Sequence, residues 1–228
     1  NDALYGGAGE DYAGGGDGND KLLGGSENDT LAGDDLIIAS YDVGDLNANG
    51  ADSVQGDAGN DVLVGDVYFY ATAGNGYANG SDTLRGGDGR DFLVGDVGAS
   101  GYVPTYLGYI AGTGTGGDFL YGGGGNDAVV GDVYVYANRG NGSGSGDDVL
   151  NGEAGNDFIV GDVYAYGYDL DGTGSGDDLI NGGTGRDFMV GDVGFGSPND
   201  AAGYGFGSDT IIAGGGNDVL IGDVDLFN

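Results

Sequence analysis

A six-residue unit recurs nine times along this chain, as GGAGED (6–11), GGDGND (15–20), GGSEND (24–29), GDAGND (56–61), GGDGRD (86–91), GGGGND (122–127), GEAGND (152–157), GGTGRD (182–187) and AGGGND (213–218). Each unit closes on Asp, and most are followed by an apolar triplet such as VLV, FLV, AVV, FIV, FMV or VLI. Six further Asp residues close a looser form of the same turn, giving the pairs Asp52/Asp61, Asp82/Asp91, Asp118/Asp127, Asp148/Asp157, Asp178/Asp187 and Asp209/Asp218, each nine residues apart. A chain with so short a period has to stack equivalent units, because one unit cannot bury its apolar residues alone.

Composition says what such a stack must overcome. Of 228 residues, 58 are Gly, and the formal charge is -33 with only Lys21, Arg85, Arg90, Arg139 and Arg186 as bases. Leu, Ile, Val and Phe make up about 22% of the chain, close to the ~20% below which a highly charged chain stays disordered. Folding therefore requires neutralisation of the acids. A nucleic-acid partner is excluded for want of a basic face. The absence of His, Cys and Trp excludes thiol and imidazole nucleophiles, Cys/His zinc sites and disulfides. No apolar run approaches the ~18 residues of a membrane span.

The nonapeptides resemble the RTX family, the hemolysin-type calcium-binding repeats with the pattern GGxGxDxUx, over a stretch from about Gly6 to Val224. The resemblance implies an all-β parallel β-roll, in which six residues turn around Ca²⁺ and three form a strand. It also implies type I secretion of an unfolded chain that folds in external calcium. Residue chemistry points the same way: glycines let turn carbonyls approach closely while each Asp adds an anionic oxygen, a hard donor set suited to Ca²⁺. The expected metal ligands are Asp11, Asp20, Asp29, Asp52, Asp61, Asp82, Asp91, Asp118, Asp127, Asp148, Asp157, Asp178, Asp187, Asp209 and Asp218. One Ca²⁺ for each would nearly cancel the formal charge.

The spacing departs from a plain roll in a regular way. After each good repeat from Gly56 onward comes GDV (at 65, 95, 131, 161, 191 and 222), and the first five are followed by excursions, with Asp-to-Asp gaps of 21, 27, 21, 21 and 22 residues. The expectation is a single β-solenoid over 1–228, with plain nonapeptides and one excursion in 1–55 and regular coils of about 30 residues in 56–228. Alternation puts Asp11, Asp29, Asp61, Asp91, Asp127, Asp157, Asp187 and Asp218 on one edge and the other seven Asp residues on the opposite edge. Eight turns at ~4.8 Å make a rod of roughly 38 Å. Leu63, Leu93, Val129, Ile159, Met189 and Leu220 should point inward, facing Leu84, Leu120, Leu150, Ile180 and Ile211. Val64, Val94 and their equivalents leave a second apolar face that must be covered.

The excursion segments VYFYA (67–71), VYVYA (133–137) and VYAYG (163–167) alternate like strands. Stacked, Tyr68, Tyr134 and Tyr164, and likewise Tyr70, Tyr136 and Tyr166, form ladders expected to cover that apolar face; a carbohydrate or partner surface is the functional alternative. GTGTGGD (112–118), GNGSGSGD from Gly140 and GTGSGD (172–177) are expected to be flexible returns. Ice binding by their Thr and Ser residues is a minor alternative. Asp45, Asn47, Asn49 and Gly50 start like an EF-hand loop, but the twelfth position is Gly56, so a polar turn is expected. The sequons at Asn28, Asn79 and Asn141 are chance-level in such a composition.

Because the same carboxylates recur in every coil, no unique catalytic pair stands out, and the chain is expected not to be an enzyme. It opens on Asn and ends just after its last repeat without an amphipathic cap. The leading expectation is a calcium-binding extracellular structural protein, a homopolymer-forming subunit of a filament, surface layer or matrix. The alternative is the calcium-folding module of a type I secreted enzyme, toxin or adhesin.

Overall fold

The structure, a computed structural model, describes residues 1–38, 42–101, 109–196 and 202–226. Among the described residues there is no helix, and the strands pair in parallel into three sheets. One coil can be followed from Ser53–Ala58 through the turn at Asn60 and Asp61 to Val62–Val64, round a corner at Gly65 and Asp66 to Val67–Tyr70, back along Ala73–Tyr77, and into Thr83–Asp88 of the next coil. The first strands of all coils form one eight-stranded sheet and the apolar triplets a second; the excursions form a third, of 11 strands. Coil length is set by register: Ser53 pairs with Thr83, Phe119 pairs with Val149, and Val149 pairs with Leu179, each 30 residues on, while the longer excursion between Thr83 and Phe119 makes a coil of 36.

The in-and-out alternation of parallel strands decides the core. Leu22, Val54, Leu84, Leu120, Leu150 and Ile180 form one continuous column and Leu31, Leu63, Leu93, Val129, Ile159 and Met189 the facing one, all fully buried. Each such side chain contributes about 2 kcal/mol through burial. Leu120→Ala in calcium should therefore cost about 2 to 5 kcal/mol, seen as a lower urea midpoint. Its neighbour Phe119, 45% exposed, should change stability by no more than about 0.5 kcal/mol when replaced by Ala. On the outward face of the first sheet the Arg85 guanidinium lies 4.3 Å over the Tyr121 ring, and Asn181 Nδ2 donates to Asn151 Oδ1 at 3.1 Å. Gln55, Arg85, Tyr121, Asn151 and Asn181 are thus in register as one outward column.

The excursions differ from expectation. They are a second lobe with its own core, built from Val67, Phe69, Val97, Ile110, Val133, Val135, Val163, Leu170, Val193 and Phe195. The Gly/Ser/Thr returns are strands: Ile110–Thr113, the end of Val133–Ser143 and the end of Val163–Gly176. Their glycines face inward because the opposite limb leaves no room: a Cβ on Gly76, Gly112 or Gly142 would sit 2.6 Å from a methyl of Val97, Val133 or Val163. Alternation of Gly with Ser or Thr is here a strand period, not flexibility. Asp45 and Asn47 likewise lie in the strand Asp42–Asn47 rather than in a turn, and Asp45 Oδ1 accepts from Asn75 Nδ2 at 2.7 Å.

The inner tyrosine ladder covers the second sheet as expected. Tyr134 meets Phe92 edge-on at 4.8 Å and Tyr164 meets Phe158 at 4.9 Å, contacts worth about 0.5 to 1.5 kcal/mol each. The ladders are broken, however, because Gly98 and Ser100 occupy the rungs between Tyr68 and Tyr134 and between Tyr70 and Tyr136. Tyr70, Tyr136 and Tyr166 remain exposed at 42 to 45%.

Candidate metal centre

At the tight edge, the second and fourth positions of the hexapeptide take left-handed backbone conformations; in GGDGRD, Gly87 has φ 115° and Gly89 φ 152°. Glycine suits both because a Cβ is disfavoured there, although Glu27, Asp57 and Glu153 occupy the first or second of these positions at φ 72° to 78°. The turn this produces points its closing Asp inward. Asp61 N–H donates to Asp91 Oδ1 at 2.9 Å, Asp91 to Asp127, Asp127 to Asp157 and Asp157 to Asp187 at the same distance. Asp11 and Asp29 begin this column and Asp218 ends it. One carboxylate oxygen is thus spent on the next coil.

The other oxygen has no protein partner. Oδ2 of Asp11, Asp29, Asp61, Asp91, Asp127, Asp157 and Asp187 is enclosed and without a hydrogen bond. The first glycine of each turn packs against it: a Cβ on Gly122 would lie 2.6 Å from Asp127 Oδ2 and 2.9 Å from the Gly152 carbonyl oxygen. An anionic oxygen and a neighbouring coil's carbonyl therefore converge on one small space. Leaving a buried carboxylate oxygen bare is costly, and a hard cation fits that donor set.

The opposite edge repeats the ladder. Asp52 N–H donates to Asp82 Oδ1 at 2.7 Å, Asp82 to Asp118 and Asp118 to Asp148 at 2.8 Å, and Asp148 to Asp178 at 2.9 Å; Asp20 precedes and Asp209 follows. Oδ2 of Asp20, Asp52, Asp82, Asp118, Asp148 and Asp178 is again bare. All fifteen expected aspartates thus fall on the two edges to which spacing assigned them.

Sequence reasoning missed a third column. The Asp of each GDV corner, with Asp34 at the first, lies against the second edge. Asp34, Asp52 and Asp66 bring carboxylate oxygens within 4.8 Å of one another, as do Asp66, Asp82 and Asp96; Asp96, Asp118 and Asp132; Asp132, Asp148 and Asp162; and Asp192, Asp209 and Asp223. The signal was present in the sequence, since an acid recurs at every corner between two apolar stretches, but GDV reads there only as the start of an excursion.

Crowding and burial set the electrostatics. Carboxylate oxygens no more than 4.8 Å apart repel by at least about 3 kcal/mol at an effective dielectric constant of ~20. Burial first, and neighbouring carboxylates second, push Asp66 up to about 8 and Asp82 and Asp162 up to about 9, and hold Asp96, Asp132 and Asp148 well above the usual carboxylate range. At the tight edge burial again leads, opposed by the N–H donors of Asp61 and Asp127, and Asp91 is raised to about 6 and Asp157 to about 7. Among the described residues the ion pairs are Arg139 with Asp169 and the N-terminal ammonium with Asp20. Apart from the N-terminal ammonium at Asp20, these pairs bring no protein cation to either ladder.

The family model of the RTX calcium-binding nonapeptide repeat matches residues 1–31, 14–40, 48–67, 78–100, 113–133, 143–163, 173–197 and 205–225, more than half of the chain. The gaps between the matched segments fall within the excursions. No curated protein and no solved structure matches the chain.

Proposed function

The chain belongs to the RTX calcium-binding nonapeptide repeat family, and on that premise we propose that it is a structural solenoid that folds by binding Ca²⁺ along its aspartate ladders. The observation that carries this is the row of buried Oδ2 atoms without hydrogen-bond partners, repeated in successive coils and faced by glycine carbonyls. Bound Ca²⁺ would supply positive charge and bridge oxygens of adjacent coils. The protein's own part is to hold each carboxylate through its Oδ1 and to bring carbonyls close by placing Gly where a Cβ would intrude. The recurrence of one site in every coil supports a structural rather than a catalytic role.

RTX repeats are typical of secreted or cell-surface proteins, and the proposal places the chain outside a bacterial cell after type I secretion. It further takes the solenoid to be a self-assembling extracellular building block. What favours assembly is the exposed column of Tyr70, Tyr136 and Tyr166 on the excursion lobe, apolar surface that a second copy would cover. The competing reading is a calcium-folding module within a larger secreted protein.

Equilibrium dialysis with sedimentation velocity tests both levels. Several Ca²⁺ bound per chain is the expected result, and none bound would overturn the calcium reading. Concentration-dependent growth in calcium supports the building block, whereas a monomer at all concentrations points to the module.

A further inference from the structure

We propose that the seam between the two lobes is a separate row of enclosed divalent-cation sites, each built from two successive GDV-corner aspartates and one ladder aspartate of the second edge. This rests on the calcium reading above but adds the corner aspartates, which the fifteen expected ligands leave out. The corner column of Asp66, Asp96, Asp132, Asp162 and Asp192 is 0% exposed. In Asp66, Asp96, Asp132 and Asp162 neither carboxylate oxygen meets an N–H or hydroxyl donor, only the neighbouring corner carboxyls, a stronger condition than on the ladders, where only Oδ2 is bare. The seam therefore offers more uncommitted anionic oxygen per gap than the tight edge does.

Both lobes keep the space open. From the excursion side, Gly114, Gly144, Gly174 and Gly205 face the corner carboxylates, and a Cβ there would lie 2.5 to 2.7 Å from Oδ2 of Asp96, Asp132, Asp162 and Asp192. From the roll side, a Cβ on Gly95, Gly131 or Gly161 would overlap the carbonyl oxygen of the next corner glycine and the Oδ2 of Asp118, Asp148 or Asp178. Carboxylates and carbonyls from three strands so converge in each gap, all of them hard oxygen donors. The corner aspartate sits where the chain leaves the roll and the ladder aspartate where it returns, so an ion there clasps the neck of the excursion.

Enclosure separates the two classes of site. Tight-edge turns are flanked by exposed residues such as Asn60 and Arg90, whereas the seam is covered by sheets on both sides. Ions at the seam should leave more slowly. Calcium-loaded full chain is mixed with excess chelator, and the calcium remaining is counted over time by atomic emission. The expected result for the native chain is a fast and a slow phase. Asp96→Asn and Asp132→Asn should each remove slow-phase ions from the two gaps that the residue borders, leaving the fast phase intact, whereas Asp91→Asn should reduce the fast phase alone. If either seam variant fails to fold in calcium, as judged by circular dichroism, Asp34→Asn at the first gap makes the same comparison. A slow phase unchanged by the seam substitutions, or a single phase, overturns this inference while leaving calcium binding in place; no bound calcium at all overturns both.

Discussion

In chelator at pH 7.5 the chain should lose its β-sheet circular dichroism signal, and millimolar Ca²⁺ should restore it. The size of the effect follows from the buried acids. Keeping a carboxyl protonated at pH 7 when its unfolded value is 3.8 costs about 4 kcal/mol at 1.36 kcal/mol per pH unit. Asp66, Asp82 and Asp162 all face that cost, and Asp96, Asp132 and Asp148 are raised well above the ordinary value too. Three such groups alone match the ~5 to 15 kcal/mol by which a whole domain is stable. The narrow aliphatic columns cannot offset six as well as the ordering of so many glycines, which lose more conformational freedom on folding than any other residue. A β signal that persists unchanged in chelator would contradict this.

Acid should partly replace the metal. The folded values of these carboxyls lie above 3.8, so the folded chain binds more protons than the unfolded one and the metal-free fold gains stability as pH falls. The window runs from about 9, where Asp82 and Asp162 begin to take up protons, down towards 3.8. Calcium must displace those protons, so its apparent affinity should fall over the same range. Circular dichroism of the dialysed, metal-free chain at pH 8, 6.5 and 5 should show β structure returning with acid, and calcium titrations at the same pH values should show the midpoint moving to higher concentration. Metal-free β content that is flat or falls with acid would be the opposite result.

Much of this was legible because the repeat is local. The nine-residue spacing placed Asp61 and Asp52 on opposite edges and set Leu63 against Leu84, since a period of two along each strand and a fixed turn leave no other arrangement. The broken tyrosine ladder is also written in the sequence, where VGAS at Val97 stands in the place of VYFY and puts Gly98 and Ser100 on the rungs. What local spacing does not carry is the return of the excursion. Only when Ala73–Tyr77 comes back against Val67–Tyr70 do the glycines of the later coils become a core face. The same return encloses the corner beside the second edge, and there an ordinary-looking GDV Asp such as Asp96 becomes as fully buried as the ladder aspartates Asp82 and Asp118. Both features rest on a contact between segments whose pairing no single motif specifies.

The most direct test of calcium-coupled folding is to follow bound calcium and the β signal on one sample as Ca²⁺ is added to the metal-free chain at pH 7.5. The two should rise together and level off together, with several ions bound per chain. A full β signal with no calcium bound, or calcium bound to a chain that stays unfolded, would contradict it.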